Sequence, residues 1–327
     1  MPRVIHRGHS PGRPADLTQR EVFEEQARLC EGRSPLYAEL CRRFAEDPAV
    51  VAIFGGEPEW DAPLRLLGGL HYLVLAGDAS WDDPLEAHAE FLREFVREQT
   101  VQTNEVQRSW MLLPCFLRAA QLLEAEELDV VELGPSAGLN LVWDGYRYAY
   151  GAGEWGPPDA ALRLTGEERS RVPAALLDVS VRAVRRVGID LAPIDVTTDE
   201  GARLLQCFVW AGQDERLDRL TRAIEVVRAD PPELVRGDFA HELPNVLRER
   251  PTLVFQTAAF PYTSHETRAA VRQTLARAAA PLVFVTAGRP RGDEAQGWGM
   301  RLVTYPGGER EFAGHADFHG AWIDYGL

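Results

Sequence analysis

The sequence contains no lysine in 327 residues, so every permanently cationic side chain is arginine. That absence excludes a lysine Schiff base and with it ordinary pyridoxal-phosphate chemistry. It also excludes a P-loop, whose lysine reaches the phosphates. Long apolar runs are missing too. The longest candidate, around His71–Ala76, is far too short to cross a bilayer. The opening stretch MPRVIHRGHSPGRPADL lacks the apolar segment of a secretory signal, so the chain reads as cytoplasmic. Cysteine is scarce. Cys30, Cys41, Cys115 and Cys207 form no C-x-x-C pair, which favours buried free thiols over disulfides or a structural zinc. Positive charge is in deficit, with a formal net charge of −15. A nucleic-acid partner would need the opposite balance. A small-molecule partner is the expectation, with neither nucleic acid nor membrane.

What is present is a globular composition, 45% hydrophobic with mixed charge. Helical spacing of Val22, Phe23, Ala27, Leu29 and Cys30 predicts a helix over 17–30. Ser34 followed by Pro35 marks the start of a second helix. Further helices are expected over 64–75, 84–98 and 104–123, so residues 1–125 read as an N-terminal helical region. From Leu128 the pattern changes. Strand-like runs at 129–133, 232–238, 252–258 and 281–287 alternate with helical ones at 215–228 and 265–279. Such alternation predicts a parallel sheet covered by helices. After Gly299, two extended runs around Gly307-Gly308 predict antiparallel strands at its edge. The expected fold is α/β, a Rossmann-like sheet over 126–327 with a parallel core, antiparallel C-terminal strands and an insertion around 147–180.

The most informative stretch is VVELGPSAGLNL at 130–141. A strand ends at Glu132. Gly134, Ser136 and Gly138 then make a small-residue turn, and Leu139 opens a segment read as a helix. Small residues let a backbone approach a ligand closely, and a helix N-terminus would aim N–H groups at it. The spacing G-x-x-x-G does not match the G-x-G-x-x-G of dinucleotide sites, which disfavours NAD. The pattern E-x-G-x-S-x-G resembles the first motif of class I S-adenosylmethionine-dependent methyltransferases, with Ser136 in place of the middle glycine. The order of the later motifs, RGDF at 236–239, TLVFQTAAFPY and PLVFVTAG, is similar to the succession in that family.

That resemblance implies S-adenosylmethionine as cofactor, with Glu132, Gly134, Ser136 and Gly138 around its amino-acid part. It places Asp238 near the adenine, with Phe239 as a stacking or packing neighbour; the plain alternative for Asp238 is a turn residue. It places Gln256, Thr257 and Tyr262 after the fourth strand, on the substrate side or in ordinary loop packing. A ribose-binding acid would end the second strand. Glu154, Glu167 and Asp190 are candidates, and Asp190 in VGIDLAP looks most like such an ending. It stands far downstream, which requires the insertion, read as a hairpin of YRYAYG against ALRLTG.

Nearly the whole chain is also similar to an uncharacterised bacterial family, domain of unknown function 2332, through SPLYAEL, VQTNEVQRS, ELGPSAGLNL, GIDLAPIDV and PPELVRGD. That implies shared architecture and no activity. Within VQTNEVQRSW, Asn104 and Gln107 can form a capping box. The functional alternative puts Thr103, Asn104, Glu105 and Arg108 at the mouth of the pocket, with Arg108 holding a carboxylate. Trp143, Tyr146, Tyr148 and Tyr150 are more often packing than a cofactor box. His315 and His319 flank Asp317 in an extended, Gly-bounded stretch, an arrangement that does not favour a metal. The resulting expectation is methyl transfer to a small molecule, with no catalytic residue singled out from Glu105, His241, His265 and Tyr262. The alternative is a non-catalytic binding or regulatory protein on the same fold.

Overall fold

The computed structural model describes residues 17–56, 58–102, 104–288 and 297–327. The chain begins with α1 (Gln19–Cys30), α2 (Pro35–Phe44), α3 (Pro48–Phe54), α4 (Ala62–Ala76), α5 (Ala89–Glu98) and α6 (Arg108–Leu123). There follow β1 (Glu127–Leu133), β2 (Arg147–Tyr150), β3 (Gly153–Trp155), β4 (Arg163–Thr165), β5 (Glu167–Ser170), α7 (Ala174–Leu177) and β6 (Arg182–Asp190). Next come α8 (Asp199–Gln206), α9 (Asp214–Ala229), β7 (Glu233–Arg236), α10 (Phe239–Val246), β8 (Thr252–Gln256), α11 (His265–Ala276) and β9 (Leu282–Gly288). The chain closes with β10 (Trp298–Tyr305), β11 (Glu309–Ala316) and β12 (Trp322–Tyr325).

Two compact units result. One holds the described residues before 104 together with Asp199–Asp218; the other holds Asn104–Thr198 and Arg219–Leu327. In the first, α1 starts at a capping box built by Thr18 and Glu21. Ser34 caps α2 through the Tyr37 amide and also donates its hydroxyl to Ala211 O at 2.6 Å. Phe23, Tyr37, Phe44, Leu66, Leu67 and Leu70 are at the core. This division differs from the expected boundary at 125/126. Helix α6 goes with the sheet because it is buried almost all round and packs on β8, β9, β10 and β12. Residues 199–218 go with the helices, where Cys207 O meets the His71 ring at 3.2 Å.

The second unit is a mixed α/β structure around a nine-stranded, mostly parallel sheet in the order β5-β12-β11-β10-β9-β8-β1-β6-β7. The run β9-β8-β1-β6-β7 is parallel, and β10, β11 and β12 add antiparallel pairs. From β1 the chain moves outward to β6 and β7, then returns past β1 to β8 and β9. The order therefore reverses between β1 and β8, the position where open α/β sheets bind ligands beyond the strand ends. Central β8 is buried at every position, as a strand covered on both faces must be. Val131, Leu133, Val187, Ile189 and Val254 pack on one face with Phe239, Leu243, Val271 and Leu275 of α10 and α11.

Between β1 and β6 lies a small sheet in the order β3-β2-β4. The hairpin expected of YRYAYG against ALRLTG is corrected here. β2 does pair with β4, but in parallel, and its antiparallel partner is β3. The aromatic stretch is packing. Trp143, Tyr146 and Tyr148 are fully buried, and the two tyrosine hydroxyls donate to Leu139 O and Trp143 O at 2.7 Å. Among the described residues, no helix is long and apolar enough to cross a membrane.

Candidate functional site

The turn after β1 is held in an unusual backbone state. Gly134, Ser136 and Gly138 all have positive φ, at 79°, 53° and 77°. Glycine adopts this region freely, whereas serine does so at a cost of about 1–2 kcal/mol. Ser136 is over-determined by its partners. Its N–H donates to Asp190 Oδ2 at 2.9 Å, its carbonyl accepts from Ile194 N at 3.1 Å, and its hydroxyl accepts from Asn104 Nδ2 at 2.7 Å. Glycines elsewhere make room for the turn. A Cβ on Gly188 of β6 would overlap the Pro135 ring, and one on Gly134 would come within 2.6 Å of Ala259 Cβ.

The helix expected from Leu139 does not form. Residues 139–142 are turns, followed by a single 3-10 turn at Trp143–Gly145 that runs into β2. Tertiary partners claim the groups that a helix would use: Leu139 O accepts from Tyr146, and Asn140 Oδ1 accepts from the Ser109 hydroxyl at 2.7 Å.

Asp190 ends β6 one strand away from the turn. Its Oδ1 accepts from Ala192 N at 2.9 Å and its backbone oxygen accepts from Gly237 N at 2.9 Å. The other two acid candidates lie elsewhere. Glu154 pairs with Arg147 and Arg163 in the small sheet, and Glu167 is exposed on β5 at the far edge of the large one. Leu191, next to Asp190, is 68% exposed. Nothing in the sequence pattern marked it.

Glu132 faces away from Val131 and Leu133, because successive strand side chains alternate. It is fully enclosed, and its Oε2 has no hydrogen-bond partner. Burial pushes its carboxyl well above the usual carboxylate range; the Asp190 charge adds to this and the Arg108 guanidinium opposes it.

The segment before α6 supplies the remaining polar groups. The expected capping box is absent. Asn104 turns to the Ser136 hydroxyl, and Gln107 donates to Thr165 O and Gly320 O. Thr103 lies outside the described residues. Arg108 is buried, donates to Phe318 O at 2.9 Å and sits 4.4 Å over the Phe318 ring. Glu105 is buried with its carboxylate 3.7 Å from Arg219 and 3.9 Å from His319 Nδ1. His319 belongs to the DFHG turn before β12, which in the sequence stands out only as a short Gly-bounded stretch ahead of the last strand.

Other expected residues fall outside this cluster. Asp238 caps α10 through Ala240 N at 2.7 Å, the turn role given as its plain alternative. Phe239 packs in the core behind Gly134. Gln256 is spent on Ala287 O and Phe260 N, and Thr257 is buried. Tyr262 is 74% exposed on the turn after β8. His315 lies on β11 against Phe312, while Asp317 Oδ2 accepts from His319 N and Ala321 N. Among the described residues, no group of three or more His, Cys, Asp or Glu side chains gathers as a metal site.

The architecture is thus an α/β sheet with a polar cluster beyond the carboxyl ends of its parallel strands. The family described as uncharacterized protein conserved in bacteria (DUF2332) matches residues 20–325, and the chain belongs to it. No curated protein matches the chain.

Proposed function

We propose that the chain binds S-adenosylmethionine across the β1 and β6 ends and passes its methyl group to a small molecule. The observation that carries this reading is Asp190, brought from 54 positions away to the small-residue turn of Glu132–Gly138 and bonded to it. The donor set fits such a ligand. Each Asp190 oxygen accepts one amide and keeps a lone pair for a ribose hydroxyl. The exposed Leu191 beside it offers an apolar face to a purine. Arg108 sets a buried positive charge beside Glu132, which suits a ligand carboxylate. When bound, the cofactor supplies a methyl group activated by a sulfonium sulfur. The chain's own contribution is positioning.

A second reading, a binding or regulatory protein without methyl transfer, is favoured by two features. No helix follows the turn directly, so the turn itself brings no helix N-terminus to a ligand. Both Asp190 oxygens already serve the chain's own amides. Calorimetric titration with S-adenosylmethionine, S-adenosylhomocysteine and NAD tests the cofactor on which the first reading depends. Methyl transfer requires heat from the two adenosyl compounds and none from NAD. A parallel melting assay at a hundred times the dissociation constant should show about 2.7 kcal/mol of stabilisation. Folded protein that binds none of the three supports the second reading and makes the turn a structural one.

A further inference from the structure

We infer that Glu105 and His319 form a proton-accepting pair for a methyl acceptor that carries its own proton, a hydroxyl or an ammonium. This rests on the proposed methyl transfer. Placing a methyl group on R–OH or R–NH3+ yields R–OCH3 or R–NH2CH3+ and one proton, with S-adenosylhomocysteine as co-product. That proton needs a base near the reacting atoms. His319 offers one, with Nδ1 buried toward the Glu105 carboxylate at 3.9 Å while the side chain as a whole is 45% exposed. At that distance the carboxylate acts on the imidazole by charge, stabilising the protonated form that arises when the ring takes up the proton.

The pair is tied to the site on three counts. Asn104, the residue before Glu105, bonds the Ser136 hydroxyl. Gln107 and Arg108 hold the carbonyls of Gly320 and Phe318, on either side of His319. Glu105 is itself fixed, accepting from Gln107 N at 3.2 Å and facing Arg219. The other candidate bases lack such a setting: His241 and His265 are exposed on α10 and α11, and Tyr262 projects into solvent. The charged groups around the ring are Glu105, with Arg219 of α9 on the Glu105 carboxylate at 3.7 Å, Arg108 of α6 over the neighbouring Phe318, and Asp317 of its own turn.

The test is a pH titration of the full chain carrying 15N-histidine, followed by NMR, with His319→Gln assigning the ring signal. Glu105→Gln keeps the oxygen that accepts from Gln107 and removes only the charge. It should lower the His319 midpoint by about one pH unit, a tenfold change in protonation. Arg219→Gln removes the competing cation and should move the midpoint up. Saturating S-adenosylhomocysteine should also shift the His319 ring signal. An unchanged midpoint in Glu105→Gln overturns the pair. S-adenosylhomocysteine that binds without moving His319 overturns its place in the site while methyl transfer stands. A coupled pair in protein that binds no S-adenosylhomocysteine overturns methyl transfer, and this use of the pair with it.

Discussion

Asp129 and Glu132 lie three residues apart on β1, and each side chain is almost wholly removed from solvent. Near the amino end of the strand, Asp129 has cations within reach, Arg250 Nε at 3.5 Å and Arg185 Nη1 at 3.9 Å. Those arginines go on to Glu127 and Glu233, so the charge belongs to a network across the amino ends of β1, β6 and β7. Each carboxylate has one oxygen without a hydrogen-bond partner, Asp129 Oδ2 and Glu132 Oε2, but Glu132, near the carboxyl end, has a second carboxylate, Asp190, nearby. One carboxylate is offset by the scaffold. The other, under the turn, is held well above the usual carboxylate range by burial despite the Arg108 charge, and such groups concentrate where a protein does chemistry or binds ligands.

The comparison is broken hardest at Asp129. Replacing it with alanine removes the buried charge that Arg185 and Arg250 face and should cost about 2–3 kcal/mol in denaturant unfolding, less than for a wholly buried pair because Arg250 is half-exposed and Arg185 keeps Glu233. The heat of S-adenosylhomocysteine binding by the folded variant should not change. Gly188→Ala drives a methyl group into the rigid Pro135 ring. It should cost about 1–3 kcal/mol and, unlike the first variant, weaken S-adenosylhomocysteine binding.

Glu132→Gln should act in the opposite direction. The folded carboxyl titrates above its unfolded range, so the stability it contributes is complete below about pH 4.5 and is lost as pH rises toward the folded value. Wild-type protein then falls by up to about 1.4 kcal/mol per pH unit in that window from this one group. The glutamine variant lacks that slope, so melting curves should coincide at pH 4 and separate in its favour at pH 7. The smallest effect expected is from Asn104→Ala. Loss of its bond to the Ser136 hydroxyl should cost about 1 kcal/mol, with a several-fold weaker affinity for S-adenosylhomocysteine measured by calorimetry.

Local chemistry made much of the scaffold readable. The capping residues Thr18 and Ser34 announced α1 and α2, and the apolar runs of β1, β8 and β9 announced a buried parallel core. The turn at Gly134–Gly138 was visible because its composition is unusual. What joins it was not visible. Asn104, Asp190 and the DFHG turn are remote in sequence and meet only after the sheet assembles, and the β2–β4 insertion hides the spacing that would have marked Asp190. The missing helix after Gly138 is a case of tertiary override. The segment LNLVWDG has helix-compatible residues, yet Tyr146 and Ser109 take its polar groups and Trp143 is drawn into the core. Ser136 shows the reverse. Its left-handed backbone is legible only once Asp190 and Asn104 are seen to hold it.

Asp190 accepts three backbone amides, from Ser136, Ala192 and Gly237, which lie at the ends of β1, β6 and β7. Those three N–H groups therefore share one anchor. Their deuterium exchange should run at a common rate, set by how often that anchor lets go rather than by the opening of each strand end. A ligand that draws on Asp190 would slow or speed all three together, giving the protein an internal clock for occupancy that needs no knowledge of the reaction.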